Sequence, residues 1–168
     1  LNGLWKYAIT PKGTPAPAAY QGDILVPFAV ESSLSGVGKM INEKEELWYQ
    51  RTFDVPSAWR GKQILLQFGD WKAEVWVNDV KVGEHTGGFT PFYFDITSVL
   101  NKGNNDLVVK VWDPSDRGEQ PRGKQIANPH GIWYTPVTGI WQTVWLEPVA
   151  TQYISNLKTT PDIDNNSV

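Results

Sequence analysis

Residues 131–147 read GIWYTPVTGIWQTVWLE, a stretch that crowds four large aromatics, two Gly-Ile steps and a proline into a turn followed by a strand-like run. From Trp141 the order alternates: Trp141, Thr143 and Trp145 fall on one side, Gln142, Val144 and Leu146 on the other, which is the period of a β-strand. A strand over Trp141–Leu146 is therefore predicted. Both of its faces carry apolar bulk, so one is expected on the core and the other against a loop, a ligand or a neighbouring domain.

Working outward, short runs of the same kind recur between turn residues. Strands are predicted over Trp5–Ile9, Asp23–Val26, Leu47–Val55, Gln63–Phe68, Ala73–Val77, Val80–Thr86, Phe92–Asp95 and Leu107–Trp112. The intervening segments, such as Pro11–Pro15, Pro56–Gly61 and Asn101–Asn105, are rich in Gly, Pro or Asn. Asn78-Asp79, set between Val75-Trp76-Val77 and Val80-Lys81-Val82, reads as a two-residue hairpin. No window sustains a helical period beyond about one turn near Ile96–Leu100. Many short strands with regular turns predict an all-β protein, an antiparallel β-sandwich.

Composition narrows the function. The 168 residues are enough for one domain with a buried core. There is no cysteine, which excludes a disulfide framework and Cys-ligated zinc or iron–sulfur centres and leaves the compartment open. Fifteen basic against eighteen acidic residues, with no basic run, argue against nucleic acid as a partner. No apolar stretch approaches the roughly 18–20 residues of a membrane-spanning helix, so no membrane partner is expected. The chain begins at Leu1 without a charged-then-apolar leader and reads as part of a longer or processed product, so targeting is left open. Nine tryptophans exceed what such a core requires; those in strands are expected in the core, those in loops suit stacking on the apolar C–H face of a sugar.

The ordered set of strings resembles the N-terminal sugar-binding domain of glycoside hydrolase family 2, the β-galactosidase, β-glucuronidase and β-mannosidase family. Carrying the resemblance are Leu1–Trp5, Val26–Ser32, Trp48–Phe53 with Val55-Pro56, Ala73–Asn78, Gly83–Phe92, Phe94–Thr97, Val109–Asp113 and the 131–147 stretch. Together they cover residues 1–149 in order. The resemblance implies a jelly-roll sandwich of the galactose-binding type over 1–149. It also implies that 150–168 is a linker and the start of an immunoglobulin-like domain, and Tyr153–Lys158 resembles a strand there. The parent would be a retaining β-glycosidase, a β-galactosidase in the first instance, with a catalytic (β/α)₈ barrel further along the chain. No cofactor or metal is called for. In the β-galactosidase branch an aspartate that touches sugar and sodium precedes the Gly-Ile turn by six residues; here that position is Trp133.

Glycoside hydrolysis requires two carboxylates bracketing the scissile bond. The carboxylates here are dispersed: Glu43, Glu45 and Glu46 read as a solvated loop face, and Asp54, Glu74 and Asp79 fall at strand edges or turns. A barrel needs roughly 250 residues of its own, so the chain is expected to be catalytically silent alone. His85 and His130 are far apart and read as surface or turn histidines. Gly36–Lys39 and Gly87-Gly88 read as turns, not phosphate-binding loops.

The segment Asp113–Thr138 is the functional candidate, because loops beyond roughly 12–15 residues are usually functional or disordered. Its polar side chains suit hydroxyl groups, and Trp133 and Tyr134 offer stacking faces. The alternative is an ordered loop pinned against a neighbouring domain. By the resemblance, this loop and Pro27–Ser32 lend side chains to the sugar subsite, with Glu31, Asp113, Asp116, Arg122 and Lys124 as binding residues beside Trp133 and Tyr134. Two competing functions are an autonomous carbohydrate-binding module and a structural spacer or oligomer contact, the latter with self-association of the chain.

Overall fold

A computed structural model describes residues 1–69 and 72–167 and contains nine strands. They are β1 (Gly3–Pro11), β2 (Gly22–Val26), β3 (Glu45–Phe53), β4 (Gln63–Gly69), β5 (Lys72–Val77), β6 (Val80–His85), β7 (Pro91–Asp95), β8 (Asn105–Trp112) and β9 (Trp145–Val149). Three single-turn 3₁₀ segments lie between them, and no α-helix is present among the described residues. β2-β1-β3-β8-β5-β6 form one antiparallel sheet and β7-β4-β9 a second. Nonconsecutive neighbours such as β3-β8 and β4-β9 are the crossovers of a sandwich, as the alternating runs predict.

Alternation explains why these residues form these strands. Along β8, Asn105, Leu107, Val109 and Val111 are buried while Asp106, Val108, Lys110 and Trp112 face outward and are half-covered. Inward residues of both sheets make one core, in which Trp5 meets Tyr49 edge-on at 6.2 Å and Phe68 stacks on Phe92 at 5.2 Å. Gly83 lets the sheets close, because a Cβ there would fall 2.2 Å from the Phe94 ring. The Asn78-Asp79 hairpin is as predicted: both residues have positive φ, 50° and 64°, the backbone of a type I′ turn.

Five expectations are corrected. The last strand starts at Trp145, not Trp141. Gly139 has φ +91°, Ile140 plugs the core, and the Val144 amide is taken by the Asn2 side chain at 3.1 Å, so residues 141–144 cross between the sheets instead of pairing. From there the alternation holds, with Leu146 half-buried and Trp145 exposed on the outer face of the smaller sheet, across Gln67 from Tyr93. Glu46 is no solvated loop residue: it is 5% exposed on β3, where it accepts the Gly13 amide at 3.0 Å and lies 3.9 Å from Lys110. Nor is Glu74 at an edge, since β5 lies between β8 and β6 and Glu74 pairs with Lys110 and Lys81. His85 lies on β6 with its ring stacked on Phe92 at 4.1 Å and Nε2–H donating to the Gly87 carbonyl.

Tyr153–Lys158, expected as a strand, joins no sheet among the described residues, although the Tyr153 side chain hydrogen-bonds to that of Tyr93. Beyond Ala150 the described residues are exposed, with one isolated antiparallel bridge between Asp162 and Ser167; Val168, the end of the expected linker segment, lies outside the described residues.

Candidate functional site

Two connections meet although they leave opposite ends of the larger sheet: residues 27–44, which run from the end of β2 to the start of β3, and residues 113–144 after β8. They are tied together at Thr138. Val30 donates its amide to the Thr138 carbonyl at 3.1 Å, and Glu31 Oε2 accepts the Thr138 amide at 3.0 Å. From the other side, Asp113 Oδ1 accepts the Ser115 amide at 2.7 Å and Oδ2 accepts the Thr138 hydroxyl at 3.4 Å. Two carboxyl groups distant in sequence thus converge on one buried threonine.

Electrostatics follow from that burial. Desolvation pushes the Glu31 carboxyl above the usual range; negative Asp113 adds to the effect, and the hydrogen bonds from Thr138 do not reverse it. Burial likewise pushes Asp113 up, against the Ser115 and Thr138 hydrogen bonds. Glu31 Oε1, the Ser115 hydroxyl and Asp116 Oδ1 are buried without a hydrogen-bond partner among the described residues, although Asp116 Oδ1 lies 3.8 Å from the Arg117 guanidinium. Buried polar atoms are seldom left unpaired, so these three, on the two connections that meet at Thr138, call for water or another polar group as partner.

The rest of the loop is ordered by its own bonds. Arg122 donates to the Asp116 carbonyl at 2.8 Å, and Gln120 donates to the carbonyls of Ser115 and Arg117. Residues 124–126 run beside Tyr134: its amide donates to the Lys124 carbonyl at 2.8 Å, and the Lys124 ammonium lies 5.9 Å from its ring. Gln125 Oε1 accepts the Val137 amide at 2.7 Å. Trp133 and Tyr134 project outward, 36% and 62% exposed, beside exposed Ile132. Phe89, Val137 and Trp141 line a small cleft of about 130 Å³ alongside.

The seven residues singled out in the sequence therefore divide. Glu31 and Asp113 meet through Thr138; Arg122 is bonded to the backbone of Asp116; Lys124, Trp133 and Tyr134 form an exposed group. Glu31 and Asp113 are more enclosed than a loop reading implies. Sequence reasoning missed Thr138 as the hub, Ser115 with its φ of +52°, and Tyr49, whose hydroxyl accepts the Ile140 amide at 3.1 Å. A signal for the last was present in Gly139: a Cβ there would lie 2.0 Å from the Tyr49 hydroxyl, so only glycine admits this approach.

This geometry can accept hydroxyl hydrogen bonds at a buried, acidic loop root and stack a ring on exposed aromatics. It does not bracket a bond with two carboxylates, because Glu31 and Asp113 bind the same threonine.

The chain as a whole is similar to known proteins. The family described as "Glycosyl hydrolases family 2, sugar binding domain" matches residues 27–147. The chain belongs to this family, as its sugar-binding domain. It is 32% identical over 119 residues to a β-glucuronidase of Paenibacillus borealis, covering 66% of this chain and 20% of the relative. With a β-galactosidase of Thermoanaerobacter pseudethanolicus it is 34% identical over 125 residues, covering 72% and 16%. Among solved structures, a β-glucuronidase of Bifidobacterium dentium complexed with coumarin-3-O-glucuronide matches with a TM-score of 0.55 and 30% identity, over 66% of this chain and 19% of that one. The chain thus spans about a fifth of the length of these relatives.

Proposed function

We propose that this chain is the non-catalytic sugar-binding domain of a multidomain retaining β-glycosidase, a β-galactosidase, and that its two loops complete the substrate subsite beside a catalytic barrel. Residues 150–168 then form the linker and the start of an immunoglobulin-like domain. The observation that carries this reading is the Glu31–Thr138–Asp113 junction with its unpaired buried oxygens. Acidic acceptors suit the hydroxyls of a neutral sugar and would repel a uronate. The β-glucuronidase reading is favoured by the names of several relatives and, in this site, by the cations Arg122 and Lys124.

The test is kinetic, in the full-length enzyme with aryl β-galactoside and aryl β-glucuronide. Asp116→Ala, Arg122→Ala and Trp133→Ala should each lower kcat/KM for the galactoside by about one to two orders of magnitude, the effect of losing a hydrogen bond to a charged group or a stacking face. Preference for the glucuronide, abolished by Arg122→Ala or Lys124→Ala, would assign the enzyme to the other branch. Intact kcat/KM with lost thermal stability would make the loop an interdomain staple and no subsite.

A further inference from the structure

The outer face of the larger sheet carries an aromatic groove that the loop site does not use. After β1 the chain folds back over this face: the Lys12 amide donates to the Lys44 carbonyl at 2.7 Å, and Trp48 Nε1 donates to Thr10 Oγ1 at 3.0 Å. This covering buries Trp48. Trp76, stacked beside it at 5.8 Å and 26° between planes, stays half-exposed, and its indole N–H has no acceptor among the described residues. A cavity of about 440 Å³ opens over the pair, walled by Pro15 and Ala16 of the covering segment and by Lys110 and Asp79. That lies within the roughly 300–1,000 Å³ of small-ligand sites.

Charge decides what fits. Lys110 is held by Glu74 and Glu46, and Lys81 by Glu74 and Glu84, so neither cation is free for an anion. The Asp79 carboxylate at the hairpin tip is exposed, with no ion pair or hydrogen bond among the described residues. An anionic polymer would be repelled by it. A purely apolar side chain would leave both the carboxylate and the Trp76 N–H unpaired. A saccharide satisfies both: the electropositive C–H face of one pyranose lies on the electron-rich indole while its hydroxyls donate to the carboxylate, and a hydroxyl of the adjoining unit accepts from the N–H in the indole plane.

We infer that this groove is a second carbohydrate-binding surface, which takes a neutral pyranose unit of a polysaccharide on Trp76 and Asp79. Val108 on its floor lies roughly 16 Å along the strand direction from Asp113 at the loop root, so a polymer held here does not occupy the loop site. The groove tethers; the loop site does not depend on it.

The test is affinity electrophoresis of the full-length protein in native gels containing β-1,4-galactan or mixed-linked β-glucan. At least one polymer should retard the protein. Trp76→Ala should weaken that retardation by about tenfold or more, Trp76→Phe should retain most of it, and Asp79→Gly, which keeps the left-handed turn, should weaken it several-fold. The kcat/KM for an aryl glycoside should stay within about twofold in all three, which separates this groove from the loop site. Absence of retardation by both polymers, or equal retardation of native protein and Trp76→Ala, overturns the proposal. Should Trp76→Ala fail to fold, Asp79→Gly decides alone, and native-like retardation of that variant overturns it.

Discussion

Thr138 donates its amide to Glu31 and its hydroxyl to Asp113, and the pH response of the domain follows from that pair of bonds. Both carboxyls are pushed above their ordinary values of 4.5 and 3.8 by burial. A carboxyl with a raised folded pKa holds its proton more tightly in the folded state. Its contribution therefore favours folding below the ordinary value and is lost as pH rises towards and through the folded one. Glu31→Gln keeps an acceptor for the Thr138 amide and removes one charge. Its stability relative to the native chain should rise between about pH 4 and about pH 7.5, as read by urea unfolding at both values. A difference that does not change with pH would show that Glu31 titrates alike folded and unfolded.

At the scale of elements, the β5–β6 hairpin shows how one turn residue joins three segments. Asn78 Nδ2 donates to the Val99 carbonyl at 2.7 Å and to Asn105 Oδ1 at 2.8 Å, and its Oδ1 accepts the Asp106 amide at 2.9 Å. Asn78→Ala should cost about 3–4 kcal/mol in chemical denaturation, from three hydrogen bonds near 1 kcal/mol each and an alanine forced into the left-handed region. Asp79→Gly should change stability by less than about 1 kcal/mol.

The hairpin was legible because Asn-Asp between alternating runs is a local signal. What was not legible is long-range. Alternation through Trp141–Val144 promised pairing, but Gly139 turns the chain and Asn2 takes the Val144 amide, a partner far away in sequence. The burial of Glu46 depends likewise on Gly13 and Lys110, each in another segment. Of the site, the residue types and the loop were readable, since polar length between strands is local. The meeting of Glu31 with Asp113 was not, because only the closed sandwich brings the two connections together.

For the whole molecule, the expected outcome is catalytic silence. Retaining hydrolysis needs two carboxyls about 5–5.5 Å apart across an open cleft, and the convergent pair here is enclosed and shares a threonine. The purified 168-residue chain should turn over neither aryl β-galactoside nor aryl β-glucuronide. Turnover that co-purifies with the folded chain after removal of contaminating enzyme would place a catalytic pair within it.

The bond from Asn2 to Val144 spans 142 positions, and β9 pairs with β4 from the far side of the β8–β9 connection. Closing loops of that length costs entropy before the core repays it, so such topologies fold slowly, in milliseconds to seconds. On the ribosome the consequence is sharper. The early hairpins emerge complete, yet the smaller sheet lacks its third strand until residues 145–149 have cleared the exit tunnel. During synthesis the nascent chain therefore carries a half-covered apolar face for nearly the whole domain, a substrate for chaperones until its last strand arrives.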